Sequence, residues 1–386
     1  MPEKRYLMTP GPTPAPPQVL AALAEPVIHH RGRDYREMFE TLLERLAAVF
    51  RTGADVLLYT CSGTGGMESA VSNLCSPGDL VVAVSFGYFG ERFAEIARAY
   101  GCRVDELRYG WGDAPSADDL ASRLRELGGA DVVLLTQSET STGVVADVEA
   151  LAAVAKDAGA IVAVDAISSL GAIPLETDGW GVDVVVSGSQ KALMTPPGLA
   201  AVSVSQGAWQ RAGAATLPRF YFDWERVRKA QERSDAAFTP AVSLVAALNV
   251  ALGLILDEGL EAAFERHARL GRACREGVNA MGLELFSPDE DRSAVVTAVA
   301  APDGLDSGDI VSALRDRFGI TLAPGQGPLK GRIFRIGHIG YYDIFDITTA
   351  LAGLELVLAE AGAEIERGVA VGRALEVFEH SPRPLA

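Results

Sequence analysis

A single lysine at the end of an apolar, strand-like run is the first candidate for chemistry in this chain. Lys191 follows residues 182–190, which change from valines to small polar residues, and it precedes the turn-forming sequence Pro196-Pro197-Gly198. This pattern predicts an amine fixed at the edge of a sheet. In a partly desolvated pocket such an amine has a lowered pKa and can hold a carbonyl cofactor. A lone lysine is more often a solvated surface residue, so its interpretation depends on the rest of the chain.

Other polar side chains that suit a single ligand also follow apolar, strand-like runs. Ser62, Gly63 and Thr64 belong to a glycine-rich loop before a helix predicted from about residue 65, and free backbone N–H groups there can bind a phosphate. The loop matches neither the GxGxxG pattern nor the Walker pattern. Asp165 ends another run and either caps a turn or, beside a pyridinium nitrogen, keeps that ring protonated. Thr140 lies in a hydroxyl-rich segment after a further run.

The elements that position these residues alternate in type along the chain. Strands are predicted at residues 56–59, 80–84, 103–107, 132–136, 161–165, 182–187 and 199–204, with helices between most of them. Continuous apolar strands of this kind predict an α/β fold with a mostly parallel seven-stranded sheet between helices, and functional groups at the carboxyl ends of the strands. We predict an extended N-terminal arm at 1–17, a large domain at 18–258 and a smaller α+β domain at 259–386.

The composition narrows the class of protein. Of 386 residues, 48% are hydrophobic and 22% charged, which is typical of a globular protein with a large core. The 34 basic and 51 acidic side chains give a net charge of -17, which disfavours nucleic acid and anionic membranes as partners. The four cysteines form no CxxC pair, so no metal site is predicted. Without a long apolar segment we expect a cytoplasmic protein.

Together these segments resemble the fold-type I, class V pyridoxal-phosphate aminotransferases, of the alanine/serine-glyoxylate (serine-pyruvate) transaminase kind. The resemblance follows the family's order from Pro10 to Gly340, nearly the whole chain. The segments that carry it are Ser62-Gly63-Thr64, residues 139–143, Val164-Asp165, residues 187–191 with Pro196-Pro197-Gly198, Thr239-Pro240 and residues 334–337. It implies pyridoxal 5'-phosphate as the cofactor.

The resemblance also implies a role for each matching residue. Lys191 would hold the cofactor as a Schiff base, Asp165 would pair with the pyridine nitrogen, and Phe89 would stack on the ring, where relatives often carry tryptophan. Thr140 would reach the phenolic oxygen of the ring. Phosphate contacts are implied for Ser62, Gly63, Thr64 and Gln190.

Further implied roles concern the substrate and a second subunit. Arg335 lies in a strand-like setting, and its guanidinium would bind the substrate carboxylate bidentately. Pro10 and Gly11 would line the same pocket from the arm. Thr239 would contact the phosphate of the neighbouring subunit, which implies a homodimer with shared sites; by residue type alone, Thr239 could simply precede a helix. Some relatives carry a tyrosine three residues before this threonine, where this chain has Ala236.

The predicted function is a ping-pong transamination between a small amino acid, namely alanine, serine or glycine, and a 2-oxo acid such as glyoxylate or pyruvate. Transaminases with ureidoglycine, aspartate, 2-aminoethylphosphonate or phosphoserine as donor remain alternatives, as does a pyridoxal-phosphate lyase. A cysteine desulfurase is disfavoured because Gln190, rather than histidine, precedes the lysine. A nicotinamide-dependent dehydrogenase would need the missing GxGxxG. A non-catalytic binding protein would not require Lys191, Asp165 and Arg335 together.

Overall fold

A seven-stranded sheet forms the centre of the larger part of the molecule. The computed structural model describes residues 4–288 and 292–381. The strands of the sheet are β2 (Asp55–Tyr59), β3 (Leu80–Ser85), β4 (Arg103–Arg108), β5 (Val132–Thr136), β8 (Ile161–Asp165), β9 (Val184–Gly188) and β10 (Ala200–Val204). Their order in the sheet is β2-β10-β9-β8-β5-β3-β4, and β10 is the one strand of this sheet that runs antiparallel to the others. The predicted α/β fold is confirmed.

Helices cover both faces of this sheet, which explains why its inner strands are apolar throughout. In β5, Val133 and Leu135 belong to one buried cluster, whereas Val132 and Leu134 belong to the cluster on the other face. Side chains alternate between the faces of a strand, so a fully covered parallel sheet needs apolar residues at every position. The helices of this part are α1 (Pro17–Ala24), α2 (Arg33–Phe50), α3 (Gly63–Leu74), α4 (Tyr88–Ala99), α5 (Ala117–Leu127), α6 (Val148–Asp157), α7 (Gln206–Ala214), α8 (Trp224–Gln231) and α9 (Val242–Glu258).

A second, smaller unit contains a three-stranded antiparallel sheet of order β11-β14-β13 and its own buried cluster. Its elements are α10 (Leu260–Ala280), β11 (Val296–Ala300), α11 (Ser307–Phe318), β12 (Ile320–Thr321), β13 (Ala323–Pro324), β14 (Ile333–Gly337), α12 (Ile344–Glu360) and α13 (Val369–His380). Helix α10 turns away from α9 by 87° at Gly259. We propose Gly259 as the boundary between the large and small domains.

The N-terminal arm joins these two units. Strand β1 (Tyr6–Leu7) pairs in parallel with β12 of the small unit. Downstream, the backbone N–H of Thr13 donates to the carbonyl of Gln190 at 3.2 Å in the large unit. The arm therefore passes directly beside the end of β9, where Lys191 lies.

A short hairpin of β6 (Ser138–Glu139) and β7 (Val144–Val145) follows β5 in the large unit.

Among the described residues, no single helix is long and apolar enough to cross a membrane; only the bent pair α9 and α10 meets that test of length and composition.

Candidate active site

The residues after the strand ends surround one cavity of about 290 Å³. It lies where the loops after β2, β3, β5, β8 and β9 meet the arm. Its wall consists of Gly11, Pro12, Ser62, Gly63, Thr64, Met67, Phe89, Arg92, Ser138, Thr140, Asp165, Ile167, Ser168, Gln190, Lys191 and Pro197. The sheet thus brings together residues that are far apart in sequence.

Nine of the residues predicted for the site line this cavity: Gly11, Ser62, Gly63, Thr64, Phe89, Thr140, Asp165, Gln190 and Lys191. Pro10 lies next to it, because its carbonyl accepts a hydrogen bond from Lys191 Nζ at 2.7 Å. Arg335 lies behind the wall and donates from Nη1 to the carbonyl of Thr140 at 2.8 Å. Thr239 does not reach the cavity of its own chain and lines two other clefts.

Lys191 is buried and held by the arm. Its side chain is crossed by Gly11, where an added Cβ would lie 2.4 Å from Nζ, so this backbone approach requires glycine. Thr13 Oγ1 donates to the carbonyl of Lys191 at 3.1 Å. Burial and the nearby Arg335 guanidinium lower the pKa of the Lys191 amine to about 8, although Asp165 acts in the opposite direction. An amine with this pKa is an effective nucleophile near neutral pH.

Asp165, the last residue of β8, is a buried carboxylate beside this amine. Its Oδ1 accepts the backbone N–H of Ile167 at 2.9 Å, which fixes the side chain. Burial raises the pKa of Asp165 to about 7, the Glu139 carboxylate adds to the increase, and Lys191 and Arg92 oppose it. A cationic ring nitrogen next to Asp165 would favour the ionised form, as the predicted pairing requires.

The start of helix α3 provides donors for an anion. Helix α3 begins at Gly63 rather than at the predicted residue 65, so Gly63 and Thr64 lie in its first turn and Ser62 is the N-cap. In the described structure Ser62 makes no side-chain capping bond, so its hydroxyl is not used by the helix. At Gly63 an added Cβ would meet Ile167 Cδ1 at 2.4 Å. Free N–H groups and hydroxyls in this tight corner fit the phosphate of pyridoxal 5'-phosphate.

Phe89 is positioned by a carboxylate that the sequence did not identify. Phe89 lies in the first turn of α4, and Glu139 Oε2 accepts the backbone N–H groups of Phe89 and Gly90 at 2.9 and 3.1 Å. The other oxygen of Glu139 accepts from the N–H and hydroxyl of Ser141 at 3.1 and 2.6 Å. Burial raises the pKa of Glu139, whereas these hydrogen bonds lower it. Glu139 therefore fixes the aromatic side chain against the cavity.

Two further side chains of the wall were also missed. Arg92, one turn after Phe89, donates from Nη1 to Thr64 Oγ1 at 3.2 Å. Ser168 Oγ lies 2.6 Å from Thr140 Oγ1, so the hydroxyl predicted to reach the cofactor ring is oriented by a second hydroxyl. The only signal in the sequence was the density of hydroxyl groups after β5 and β8.

The guanidinium of Arg335 is oriented by two backbone carbonyls and keeps N–H donors for a ligand. Its Nε and Nη2 donate to the carbonyl of Pro324 at 3.2 and 2.8 Å, and Nη1 donates to Thr140. A guanidinium has five N–H donors, so donors remain on Nη1 and Nη2. Burial lowers the pKa of Arg335 to about 10, and within the described residues no carboxylate forms an ion pair with it. Such an oriented, unpaired guanidinium fits a substrate carboxylate.

Comparison with known proteins identifies the family of the chain. The sequence model described as aminotransferase class-V matches residues 5–330. The crystal structure of ureidoglycine-glyoxylate aminotransferase from Bacillus subtilis is 32% identical, with a TM-score of 0.95 over 98% of this chain and 99% of that one. The L-aspartate–glyoxylate aminotransferase of Paracoccus denitrificans is 36% identical over 99% of this chain and 98% of its own length. The soluble hydrogenase 42 kDa subunit of Anabaena cylindrica is 42% identical over 98% of this chain and 100% of its own.

The fold and the cavity define a fold-type I enzyme with a lysine at its centre. The chain belongs to the class V aminotransferase family and is an aminotransferase that uses pyridoxal 5'-phosphate. Its relatives include glyoxylate transaminases, in agreement with the predicted family. In the described part of the chain, no group of three or more His, Cys, Asp or Glu side chains could hold a metal ion.

Proposed function

We propose that this aminotransferase transfers the amino group of alanine, serine or glycine to a 2-oxo acid such as glyoxylate or pyruvate, by a ping-pong mechanism. The observation that carries the proposal is the arrangement around Thr140, whose side chain lines the cavity of Lys191 and whose carbonyl binds Arg335. A donor with one carboxylate and a small side chain suits this arrangement. The two transaminases named above are named for different donors, aspartate and ureidoglycine, so the choice rests on the cavity.

Each residue has a defined task in this reaction. The cofactor, when bound, withdraws electrons from the amino-bearing carbon of the substrate. Arg335 would hold the carboxylate through its remaining N–H groups, which directs the Cα–H toward Lys191. The Lys191 amine, with its pKa lowered to about 8, would accept and return that proton. Asp165 would keep the ring nitrogen protonated.

The charges of the cavity wall favour a neutral donor side chain. Of the described residues in this wall, the cationic ones are Lys191 and Arg92. Arg92 is bound to Thr64 at the start of helix α3, whereas Arg335 is bound to the carbonyl of Thr140. A second carboxylate on the donor would therefore need another cation, and Arg92 is the one candidate in the described wall. Aspartate is for this reason the second candidate donor.

Single-turnover kinetics with a panel of donors tests the proposal. We expect alanine, serine or glycine to convert the bound cofactor with a kcat/KM at least about tenfold above that of aspartate and glutamate, roughly the effect of one unpaired charge at a binding site. The matched control is Arg335→Lys, which keeps the charge but loses the fork, and should slow all donors alike. A preference for aspartate or glutamate would show that the donor assignment is wrong.

We also propose a homodimer in which Thr239 contacts the phosphate in the partner's site. The position of Thr239, outside its own cavity and next to the exposed Val27 and Phe220 region, supports this. Mixed dimers of Lys191→Ala and Thr239→Ala chains test it. If Thr239 acts across the interface, each mixed dimer regains one intact site; if it acts within its chain, no activity returns. A cytoplasmic location remains a prediction that cell fractionation checks.

A further inference from the structure

Arg92 is a guanidinium in the cavity wall whose charge acts on the Asp165 carboxylate but which forms no close ion pair within the described residues. Its hydrogen bond goes to a neutral hydroxyl, Thr64 Oγ1, at 3.2 Å. Its planar group lies against two rings, 4.9 Å from the centroid of Tyr88 and 5.1 Å from that of Phe89. The aromatic faces fix the guanidinium in place, but they do not neutralise it.

The surroundings of Arg92 make an anion the expected partner. Thr64 lies in the first turn of α3, a helix with no acidic residue in that turn. A helix N-terminus carries a partial positive charge, so a guanidinium beside it is unfavourable unless an anion lies between them. Because Thr64 Oγ1 accepts the hydrogen bond from Arg92, the hydroxyl proton of Thr64 remains available for a ligand.

We propose that Arg92 is the counter-cation of the cofactor's phosphate and a determinant of cofactor affinity. The phosphate carries a charge of about -1.5 to -2 near neutral pH. The other donors in this corner, from Ser62, Thr64, Gln190 and the backbone, are neutral. Lys191 is needed for the cofactor's carbonyl carbon, which leaves Arg92 as the remaining cation of the described wall for the phosphate.

The competing role for Arg92 is a contact with a second carboxylate of the substrate. Two observations favour the phosphate. The guanidinium is tied to Thr64 at the start of α3, whereas the carboxylate site at Arg335 is tied to Thr140 and Pro324. The rings of Tyr88 and Phe89 also restrict the movement that a turn toward the substrate would require. The proposal depends on the family's cofactor and is independent of the amino donor.

The test compares two aldehydes that differ only in the phosphate. Apoprotein is titrated with pyridoxal 5'-phosphate and with pyridoxal, and dissociation constants are measured from the change in absorbance and protein fluorescence. Arg92→Met removes the charge and keeps the apolar stem. Arg98→Met is the matched control, because Arg98 lies on the same helix, outside the cavity, and pairs with Glu106.

We expect Arg92→Met to weaken pyridoxal 5'-phosphate binding by about 10- to 100-fold, as for the loss of a charge-assisted hydrogen bond, and to change pyridoxal binding by less than about threefold. Inorganic phosphate should compete with the cofactor more weakly in this variant than in the parent protein. Arg98→Met should behave like the parent in both titrations. No amino acid is present, so an error in the donor assignment cannot affect the result.

Two results would overturn the proposal. An equal loss of affinity for both aldehydes would make Arg92 a structural residue of α4. Unchanged affinity of Arg92→Met for pyridoxal 5'-phosphate would also reject it, and in that case a separate steady-state assay with aspartate and glutamate would show whether Arg92 contacts the substrate. If Arg92→Met does not fold, Arg92→Lys replaces it, because lysine keeps the charge but lacks the two parallel N–H donors of a guanidinium. A smaller loss of affinity that is still confined to pyridoxal 5'-phosphate supports the proposal. Equal losses of affinity for pyridoxal 5'-phosphate and pyridoxal reject it.

Discussion

The reactivity of Lys191 can be measured in the apoprotein without any turnover. Burial and Arg335 lower the pKa of its amine from 10.5 to about 8. At about pH 7.5, roughly a quarter of such an amine is neutral, against about one part in a thousand for an ordinary lysine. We therefore expect Lys191 to react with a small acylating reagent about a hundredfold or more faster than its pKa in the unfolded chain would allow.

Competitive labelling provides the assay. Apoprotein is treated with a trace of acetic anhydride across the pH range, and mass spectrometry quantifies acetylation of the Lys191 peptide, with the urea-unfolded chain as reference. The midpoint should lie near pH 8 in the folded protein. Arg335→Gln should move it upward, because a cation that disfavours the protonated amine is removed. A folded-state midpoint at or above about 10, or no response to Arg335→Gln, would refute the reasoning.

Three further predictions concern groups around this amine. Burial raises the pKa of Asp165 from 3.8 to about 7, so the parent apoprotein should lose stability as the pH rises from 3.8 through 7. Asp165→Asn should remove this loss, and the melting temperature of the variant should exceed that of the parent by an amount that grows over this pH range. Glu139→Gln leaves at least one N–H or O–H donor without an acceptor, so it should lower the free energy of unfolding of the apoprotein by about 2–4 kcal/mol. Ser141→Ala is the control and should have a smaller effect, and an unchanged melting temperature of Glu139→Gln would contradict the prediction. His338 is buried and hydrogen-bonded to the carbonyl of Ala294 and to Thr297, and burial lowers its pKa from 6.5 to about 3. The free energy of unfolding should therefore fall as the pH drops below about 6.5. In His338→Gln the melting temperature should decrease less over the same pH range.

The strand ends of the large sheet could be predicted from the sequence because strands that are buried on both faces consist of continuous runs of apolar residues. Asp165 and Lys191 were identifiable as the polar residues that interrupt it. Helix α8 was not predicted, because its charged residues obscure Trp224, Val227 and Ala230, which repeat every three residues and are buried. Strands β1 and β12 have two residues each, too few for any periodicity.

The residues missed within the site have a common physical reason. Glu139 and Arg92 act through their position relative to the first turns of α3 and α4, and in sequence each looks like a solvated charge. Their contacts depend on how two helices meet at the sheet edge, which no local pattern encodes. For Arg335, the apolar residues around it made its strand predictable, but not its burial or the two carbonyls that orient it.

The charges of the apoprotein site explain why cofactor binding should stabilise the fold. Lys191 and Asp165 are buried with pKa values of about 8 and about 7, so burial disfavours the charged form of each group near neutral pH. Arg92 and Arg335 add guanidinium groups that lack a carboxylate partner within the described residues. A ligand that brings a cationic ring nitrogen to Asp165, a carbonyl carbon to Lys191 and a phosphate toward Arg92 offsets three of these costs together. Because such a ligand binds the folded chain alone, stability rises with its concentration relative to its dissociation constant. The polar groups that weaken the apoprotein are thus the same ones that make it selective for a phosphorylated pyridine aldehyde.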